Sequence, residues 1–308
     1  MVKFTKCKKI ILVLISLILI TFSVAKIYQK EIVAYVTSGS FGLHDKDKLT
    51  LPKGVSWFDD YYSVQYINKN TLAIGEPRYW QQNINYLILG KNKAVLFDTG
   101  VGNEDILRVV KSITDLPLII IPSHLHFDHI GNFDKYKNLD IRLAKIQVEN
   151  EEVVNNTLTP TDDDFLGWVE GRDTPKITYS ALLTDNEVLE LGDRSLTVVN
   201  TTGHTSNSIS LFDKENNIVF TGDFFYKGTL LASEQMPTSS LSAYQQSLSK
   251  LQAMTNENTL FYGGHTTQWR TPELTAKDLN ALTSFLQGKT NNKPPKEKVI
   301  NDNITISF

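Results

Sequence analysis

Residues 118–132 read Leu-Ile-Ile-Ile-Pro-Ser-His-Leu-His-Phe-Asp-His-Ile-Gly-Asn. The apolar opening of this stretch predicts a buried strand over 118–121. His124, His126, Asp128 and His129 follow at once, with Gly131 close behind. Three imidazoles and a carboxylate are costly at the end of a buried strand unless something compensates their lone pairs and charge. A metal ion does so directly. The H-x-H-x-D-H cluster is therefore expected to be the first half of a two-metal hydrolytic site.

The rest of the chain repeats the same pattern. Asp98 follows Val95-Leu96-Phe97, His204 follows the apolar run 196–199, Asp223 follows Ile218-Val219-Phe220, and His265 follows Leu260-Phe261-Tyr262. Of the six histidines, only His44 lies elsewhere. Strand ends gathered along one sheet edge would bring these side chains together. His124, His126 and His204 can then share one ion and Asp128, His129 and His265 a second, with the two oxygens of Asp223 bridging them. Each ion keeps a position for a shared water, as a catalytic site requires.

The 308 residues are enough for one large domain or two small ones. A hydrophobic fraction of 41% and a charged fraction of 21% are those of an ordinary globular protein. The formal charge of −3 argues against a nucleic-acid footprint, which is normally a basic face. Lys3, Lys6, Lys8 and Lys9 precede an uncharged run over residues 10–25 that ends in Ser23-Val24-Ala25. This pattern predicts either a cleaved signal peptide or an uncleaved N-terminal anchor over 1–25. Both place the domain outside the cytoplasm, and membrane contact is expected only through this segment if it stays uncleaved. Cys7, the single cysteine, precedes the apolar run, so the domain has neither a disulfide nor a thiolate ligand.

Residues 26–55 read as a tether or approach segment, 56–290 as the domain, and 291–308 as a linker with a terminal strand. Strands are expected at 61–67, 71–75, 86–89, 94–97, 118–121 and 141–144 in the first half. In the second half they are expected at 187–191, 196–200, 208–212, 218–221, 259–262 and 304–308. Asn103 is a candidate cap for a helix carrying Ile106, Val109, Val110 and Ile113. Residues 146–154 are expected to form a helix, and further helices carry Leu241, Tyr244, Leu248, Leu251 and Leu279, Leu282, Phe285, Leu286. The irregular stretch 157–179, with Pro160, Phe165, Trp168 and Pro175, reads either as a substrate lid or as an ordinary insertion. Trp57, Trp80, Phe165 and Trp168 are candidates for an apolar acyl pocket, and Lys227 reads either as a contact for an anionic substrate group or, in preference, as a solvated surface lysine. Strands in two batches, each followed by helices, predict a layered α/β sandwich of two similar halves.

Ser-His-Leu-His-Phe-Asp-His-Ile-Gly-Asn, Thr-Thr-Gly-His-Thr, Thr-Gly-Asp and Gly-Gly-His, in this order and after Phe-Asp-Thr-Gly, resemble the metallo-β-lactamase-fold superfamily. The resemblance runs from about Trp57 to about Gln287 and is specific for fold and metal site rather than substrate. It implies an αβ/βα four-layer sandwich and two Zn²⁺, with iron or manganese as possible replacements. It also implies the ligand partition given above and a role for Asp98 in ordering the histidine loop. Thr202 departs from the proline common before Gly-His, which bears on loop rigidity rather than on a ligand.

Asp223 stands where true metallo-β-lactamases usually carry cysteine or serine, so the resemblance points to the glyoxalase, lactonase and thioesterase branches. Asp223-Phe-Phe-Tyr226 has the Asp-x-x-Tyr spacing of acyl-homoserine lactonases, whose tyrosine helps hold the substrate carbonyl. The longer run 222–230, with Glu76-Pro77 and Asn85-Tyr86-Leu87-Ile88, looks more like a branch containing acyl-thioester hydrolases. The expected chemistry is attack of a metal-held hydroxide on a small ester, thioester or lactone. Asp128 would orient the hydroxide and accept its proton, and Tyr226 would hydrogen-bond the oxyanion. The alternatives are a β-lactamase, an iron-dependent redox enzyme and a non-catalytic binding module on the same fold.

Overall fold

A computed structural model describes residues 42–232, 236–267, 270–287 and 296–308. The expected leader over 1–25 and the first part of the approach segment lie outside the described residues. In chain order, the first half runs β1 (Val55–Trp57), β2 (Ser63–Asn68), β3 (Thr71–Gly75), β4 (Ile84–Leu89), β5 (Ala94–Phe97), α1 (Leu107–Ile113), β6 (Leu118–Ile121) and β7 (Asp140–Ala144). Next come β8 (Glu152–Val154), β9 (Thr157–Thr159), α2 (Asp162–Phe165), β10 (Ile177–Thr178) and β11 (Ala181–Leu183). The second half runs β12 (Val188–Glu190), β13 (Ser195–Asn200), β14 (Ile209–Asp213), β15 (Ile218–Gly222), β16 (Gly228–Leu231), α3 (Leu241–Met254), β17 (Leu260–Gly263), β18 (Glu273–Thr275), α4 (Ala276–Gln287), β19 (Glu297–Val299) and β20 (Ile304–Ser307).

Strands β1 to β7 followed by β11 form an eight-stranded sheet, and β12-β13-β14-β15-β17-β18 form a six-stranded one. Alternation along the strands divides the core into layers. Val95 and Phe97 of β5, and Ile119 and Ile121 of β6, face Val198, Leu211, Phe220 and Tyr262 of the second sheet. Leu96 and Ile120 face the other way, onto Val109 and Val110 of α1. On the far side, Val199, Val219 and Phe261 pack on Tyr244 and Leu248 of α3 and on Leu279 and Leu282 of α4. Helix, sheet, sheet, helix is the expected four-layer sandwich, and each large buried apolar side chain contributes roughly 1.5–3 kcal/mol.

Three local expectations are corrected. Residues 146–154 are not helical: a short 3₁₀ turn, Lys145–Gln147, gives way to β8. Asn155 and Asn156 both take positive φ and close a two-residue hairpin that pairs Val154 with Thr157. That is the geometry that matches strand twist, and asparagine tolerates it. Asn103 does not cap α1. Its N-cap is Ile106, which makes no side-chain cap bond; the Asp105 carboxylate just before it accepts from the Leu107 N–H at 3.0 Å, while Asn103 accepts from Arg172. Lys227 is only 9% exposed rather than solvated. The terminal strand β20 runs parallel to β16 and buries Ile304 and Ile306 in the second half's core, an attachment no local pattern announced.

Candidate metal centre

Strand direction assembles the site. β5 and β6 are parallel, as are β15 and β17, and β13 runs the same way as β15 through the antiparallel β14 between them. The loops carrying Asp98, His124 to His129, His204, Asp223 and His265 therefore leave from one edge. Glycine lets the loops approach. A Cβ at Gly131 would lie 2.2 Å from the Gly102 nitrogen, and the Gly131 N–H donates to Gly100 O at 2.9 Å. Asp98 takes φ 66°, and its Oδ1 accepts from the Ser123 N–H at 2.5 Å, pinning the start of the histidine loop.

Helix α3 secures the loops of the second half. Ser240 N and Ser239 Oγ both donate to Gly203 O at 2.9 Å, and Ser247 Oγ donates to Thr202 O at 2.7 Å. The Tyr244 hydroxyl donates to the carbonyl of Phe224, next to Asp223. Rigidity that proline would give at position 202 is supplied here by one hydrogen bond to that residue's carbonyl and two to the carbonyl of Gly203.

All seven residues expected to bind metal are buried, in two groups whose potential ligand atoms lie within 4.8 Å of one another. One group holds His124, His126, His204 and Asp223; the other holds Asp128, His129 and His265. Asp223 links them, with Oδ2 3.6 Å from His204 Nε2 and 3.0 Å from His265 Nε2, and Oδ1 3.2 Å from His129 Nε2.

The outer nitrogens show which atoms are left to bind. Nδ1 meets Asp98 Oδ2 at 2.9 Å in His129, Leu231 O at 3.3 Å in His204 and Gln81 O at 3.0 Å in His265. An Nδ1–H bonded to oxygen leaves the Nε2 lone pair facing inward. His124 Nδ1 lies 2.9 Å from Ser123 Oγ. His126 differs, its Nδ1 being 3.2 Å from His204 Nε2. Nε2 of His124, His126 and His129 and Oδ1 of Asp223 are buried without a hydrogen-bond partner. Buried polar atoms seldom stay unsatisfied, so the inward nitrogens, Nδ1 rather than Nε2 in His126, and the carboxylate oxygens fit divalent ions.

The electrostatics of the two groups differ. Burial pushes His124 well below its usual pKa, His126 down to about 3, and His204 lower as well. Burial also pulls on His129, but the carboxylates of Asp223, Asp128 and Asp98 hold it well above its usual value. His265 is likewise pushed up to about 10 against burial by Asp223 and Asp128. Burial raises Asp128 and Asp223, yet the adjacent His129 and His265 keep both carboxylates ionised well below the usual range. The carboxylate side of the site attracts positive charge, as protons or as metal ions.

A cleft of about 350 Å³ opens over this floor. His126, Asp128, His204, Asp223 and His265 reach it, and Trp80, Phe127, Leu166, Tyr226, Leu231 and Met236 wall it. Of the aromatics expected in an acyl pocket only Trp80 is there. Trp57 sits on β1 under the Lys46 ammonium, Phe165 is buried against Phe127, and Trp168 is not part of the lining. Tyr226 lines the cleft, but its hydroxyl donates to the carbonyl of Thr229, so the expected oxyanion donor is committed to the main chain. Residues 157–179 carry β9, α2, a 3₁₀ turn and β10, and Leu166 of this stretch lines the cleft.

Two supporting residues went unnoticed in the sequence. Asn83 Nδ2 donates to Asp128 O at 2.9 Å and to Asp128 Oδ2 at 3.0 Å. Glu76, singled out only as part of a motif, is buried under the Asp98 loop. It accepts from Tyr61 Oη at 2.7 Å and from Asn85 Nδ2 and Val101 N at 3.3 Å each. Closely spaced histidines after an apolar run are legible in sequence, whereas a lone Asn or Glu before a strand carries no comparable signal.

The family profile described as metallo-beta-lactamase superfamily matches residues 78–265, which span the two ligand groups. An acyl-coenzyme A thioesterase MBLAC2 of Gallus gallus is 30% identical over 182 residues, covering 54% of this chain and 65% of that relative. A probable metallo-hydrolase YqgX of Bacillus subtilis (strain 168) is 26% identical over 204 residues, covering 66% of this chain and 92% of that protein. Among solved structures, a metallo-beta-lactamase from Pontibacter korlensis superposes with a TM-score of 0.55 at 17% identity, covering 74% of this chain and 100% of that one, a likeness of fold alone. With the profile spanning most of the domain and the ligand groups assembled at one sheet edge, the chain belongs to the metallo-beta-lactamase superfamily.

Proposed function

We propose that this chain is a divalent-metal hydrolase of acyl thioesters or related esters and lactones, working outside the cytoplasm with two zinc ions. The observation that carries this reading is the junction of the two ligand groups through Asp223 at the floor of an open, partly apolar cleft. A closed structural site would leave no such opening. The thioesterase name of the similar Gallus gallus protein favours the thioester among carbonyl substrates, and the metallo-hydrolase name of the Bacillus subtilis protein favours hydrolysis without choosing among them. The place outside the cytoplasm rests on residues 1–25 alone. No helix among the described residues is long and apolar enough to cross a membrane.

His124, His126 and His204 would hold one ion, Asp128, His129 and His265 the other, with Asp223 between them. Bound there, divalent cations supply Lewis acidity and make hydroxide available near neutral pH. The chain's own residues do the rest. Asn83 holds the Asp128 carboxylate, so Asp128 is placed to orient a water and take its proton. Asp98 fixes the orientation of His129. Tyr226 offers its ring as a wall, and its hydroxyl reaches a substrate carbonyl only by leaving Thr229. Trp80, Phe127 and Leu166 exclude water from one side of the cleft.

The test is a panel of acyl-CoA thioesters, simple esters, lactones and a chromogenic β-lactam with the zinc-loaded chain, alongside His124→Ala with Asp128→Asn. Thioester turnover lost in the double variant supports the reading; β-lactam turnover exceeding all others overturns the substrate class. Elemental analysis of protein purified without added metal tests zinc against iron, and N-terminal sequencing of exported protein tests cleavage after Ala25.

A further inference from the structure

We propose that Glu170 is a positioning residue that locks Trp80 as the wall against which the acyl chain of the substrate lies; this rests on the thioester reading above. Glu170 stands at the end of the 3₁₀ turn Gly167–Glu170, far in sequence from the wall it holds. Its Oε1 accepts from Tyr79 Oη at 2.5 Å and from Trp80 Nε1 at 2.8 Å, and its Oε2 accepts from Arg172 Nε at 3.0 Å. Arg172 carries the connection on, donating to Val101 O and to Asn103 Oδ1 at 3.0 Å each. Its guanidinium also lies 5.4 Å from the ring centre of Phe127, inside the histidine loop. The Phe127 N–H in turn donates to Phe165 O at 2.8 Å. The insertion is thus fastened to the Tyr79-Trp80 loop, to the loop after Asp98 and to the histidine loop.

The arrangement is unusual in what it holds still. Trp80 is 40% exposed at the cleft, whereas the Glu170 side chain that binds it is only 7% exposed. The carboxylate that satisfies the buried Tyr79 hydroxyl and pairs with Arg172 also fixes the indole, whose side-chain freedom at an exposed position would otherwise be large. Trp80, Phe127 and Leu166 make an apolar bank beside Asp128 and His126. A carbonyl carbon above the ligand groups has two substituents, and the apolar one belongs on that bank.

The experiment compares acetyl-CoA with octanoyl-CoA, which share a leaving group and differ only in the acyl chain, on the full zinc-loaded chain. Trp80→Ala is expected to lower kcat/KM about tenfold for octanoyl-CoA through KM, with acetyl-CoA changed less than about twofold. Glu170→Ala should reproduce most of that loss and add nothing in the Trp80→Ala background. Glu170→Gln, which keeps an acceptor for Tyr79 and Trp80, should restore most of the discrimination. An unchanged octanoyl-to-acetyl ratio in Glu170→Ala, or equal losses on both substrates, overturns the proposal. A second readout needs no turnover: acrylamide quenching of Trp80, taken as the difference from Trp80→Phe, should rise in Glu170→Ala. Unaltered quenching in a folded variant also overturns it. Absence of any thioesterase activity in the wild type with raised quenching in Glu170→Ala would sink the thioester reading and leave the lock standing.

Discussion

Gly264 lies so close to Asp223 that a Cβ at position 264 would sit 2.6 Å from Asp223 Oδ1 and 2.8 Å from His129 Cε1. The residue before His265 thus leaves space for the carboxylate that joins the two ligand groups. Gly264 N also donates to Gly222 O at 2.7 Å, so its backbone has little freedom to retreat. Gly264→Ala must push Asp223 or His129 aside. We expect metal affinity to fall by one to two orders of magnitude, in the range seen when the supports of a metal ligand are disturbed. Metal competition with a chromogenic chelator, beside circular dichroism to confirm the fold, measures it; wild-type affinity would refute the argument.

Glu76 makes a different prediction, about pH. Burial pushes its carboxyl up to about 7, more than the bonds from Tyr61, Asn85 and Val101 lower it. In the metal-free protein the folded state keeps a proton that the unfolded state gives up near pH 4.5. Folded protein therefore binds more protons across that window, and stability falls as pH rises from about 4.5 to about 7. The expected loss is on the order of 3 kcal/mol. Glu76→Gln keeps the shape and abolishes the titration, so its urea midpoint should fall less than that of wild type over this range. Parallel pH profiles for the two proteins would refute the assignment.

How much of this was legible beforehand varies with the range of the interaction. Five strand ends followed by His or Asp could be read directly, because apolar runs and the polar residues after them are adjacent in sequence. The hairpin at Asn155-Asn156 was also written locally, and a helical reading of 146–154 overlooked the paired asparagines. Asn83 and Glu170 carry no such mark. Asn83 earns its place through Asp128, and Glu170 through Trp80, across 45 and 90 positions of sequence. Tyr226 shows the converse limit: its spacing from Asp223 was plain, but the bond to Thr229 depends on how the chain turns into β16.

Arg194, in the turn between β12 and β13, and Asp213, at the end of β14, join the two sheets. The guanidinium reaches Asp213 through Nε at 2.8 Å and again through Nη2, and donates to Asn70 O at 3.0 Å and Thr71 Oγ1 at 2.8 Å on the first sheet. Both side chains are almost fully buried. Arg194→Met leaves a buried carboxylate without its cation, which costs about 3–5 kcal/mol. A drop in Tm on the order of 10 °C is expected. Asp213→Leu placed on top of Arg194→Met should recover part of it, since the second change removes the stranded charge. A double variant no better than Arg194→Met would show that the hydrogen bonds to the first sheet matter more than the charge pair.

Acidification should separate the two proposed ions. In the His124, His126 and His204 group the imidazoles are held below their usual pKa by burial, so protons compete weakly with metal there. In the Asp128, His129 and His265 group the carboxylates raise both histidines, His265 to about 10, so metal entry must displace protons. A histidine with a raised pKa is protonated across the neutral range and becomes a poorer ligand as pH falls. Lowering pH from about 8 to about 5.5 should therefore release one equivalent before the other. It should also lower Tm in a first step, by the loss of one bound ligand's linkage energy. Chelation at constant pH near 7 should be accompanied by proton uptake, detectable in weak buffer. Elemental analysis after dialysis at each pH counts the ions: simultaneous loss of both, with no proton uptake, would contradict the difference between the groups.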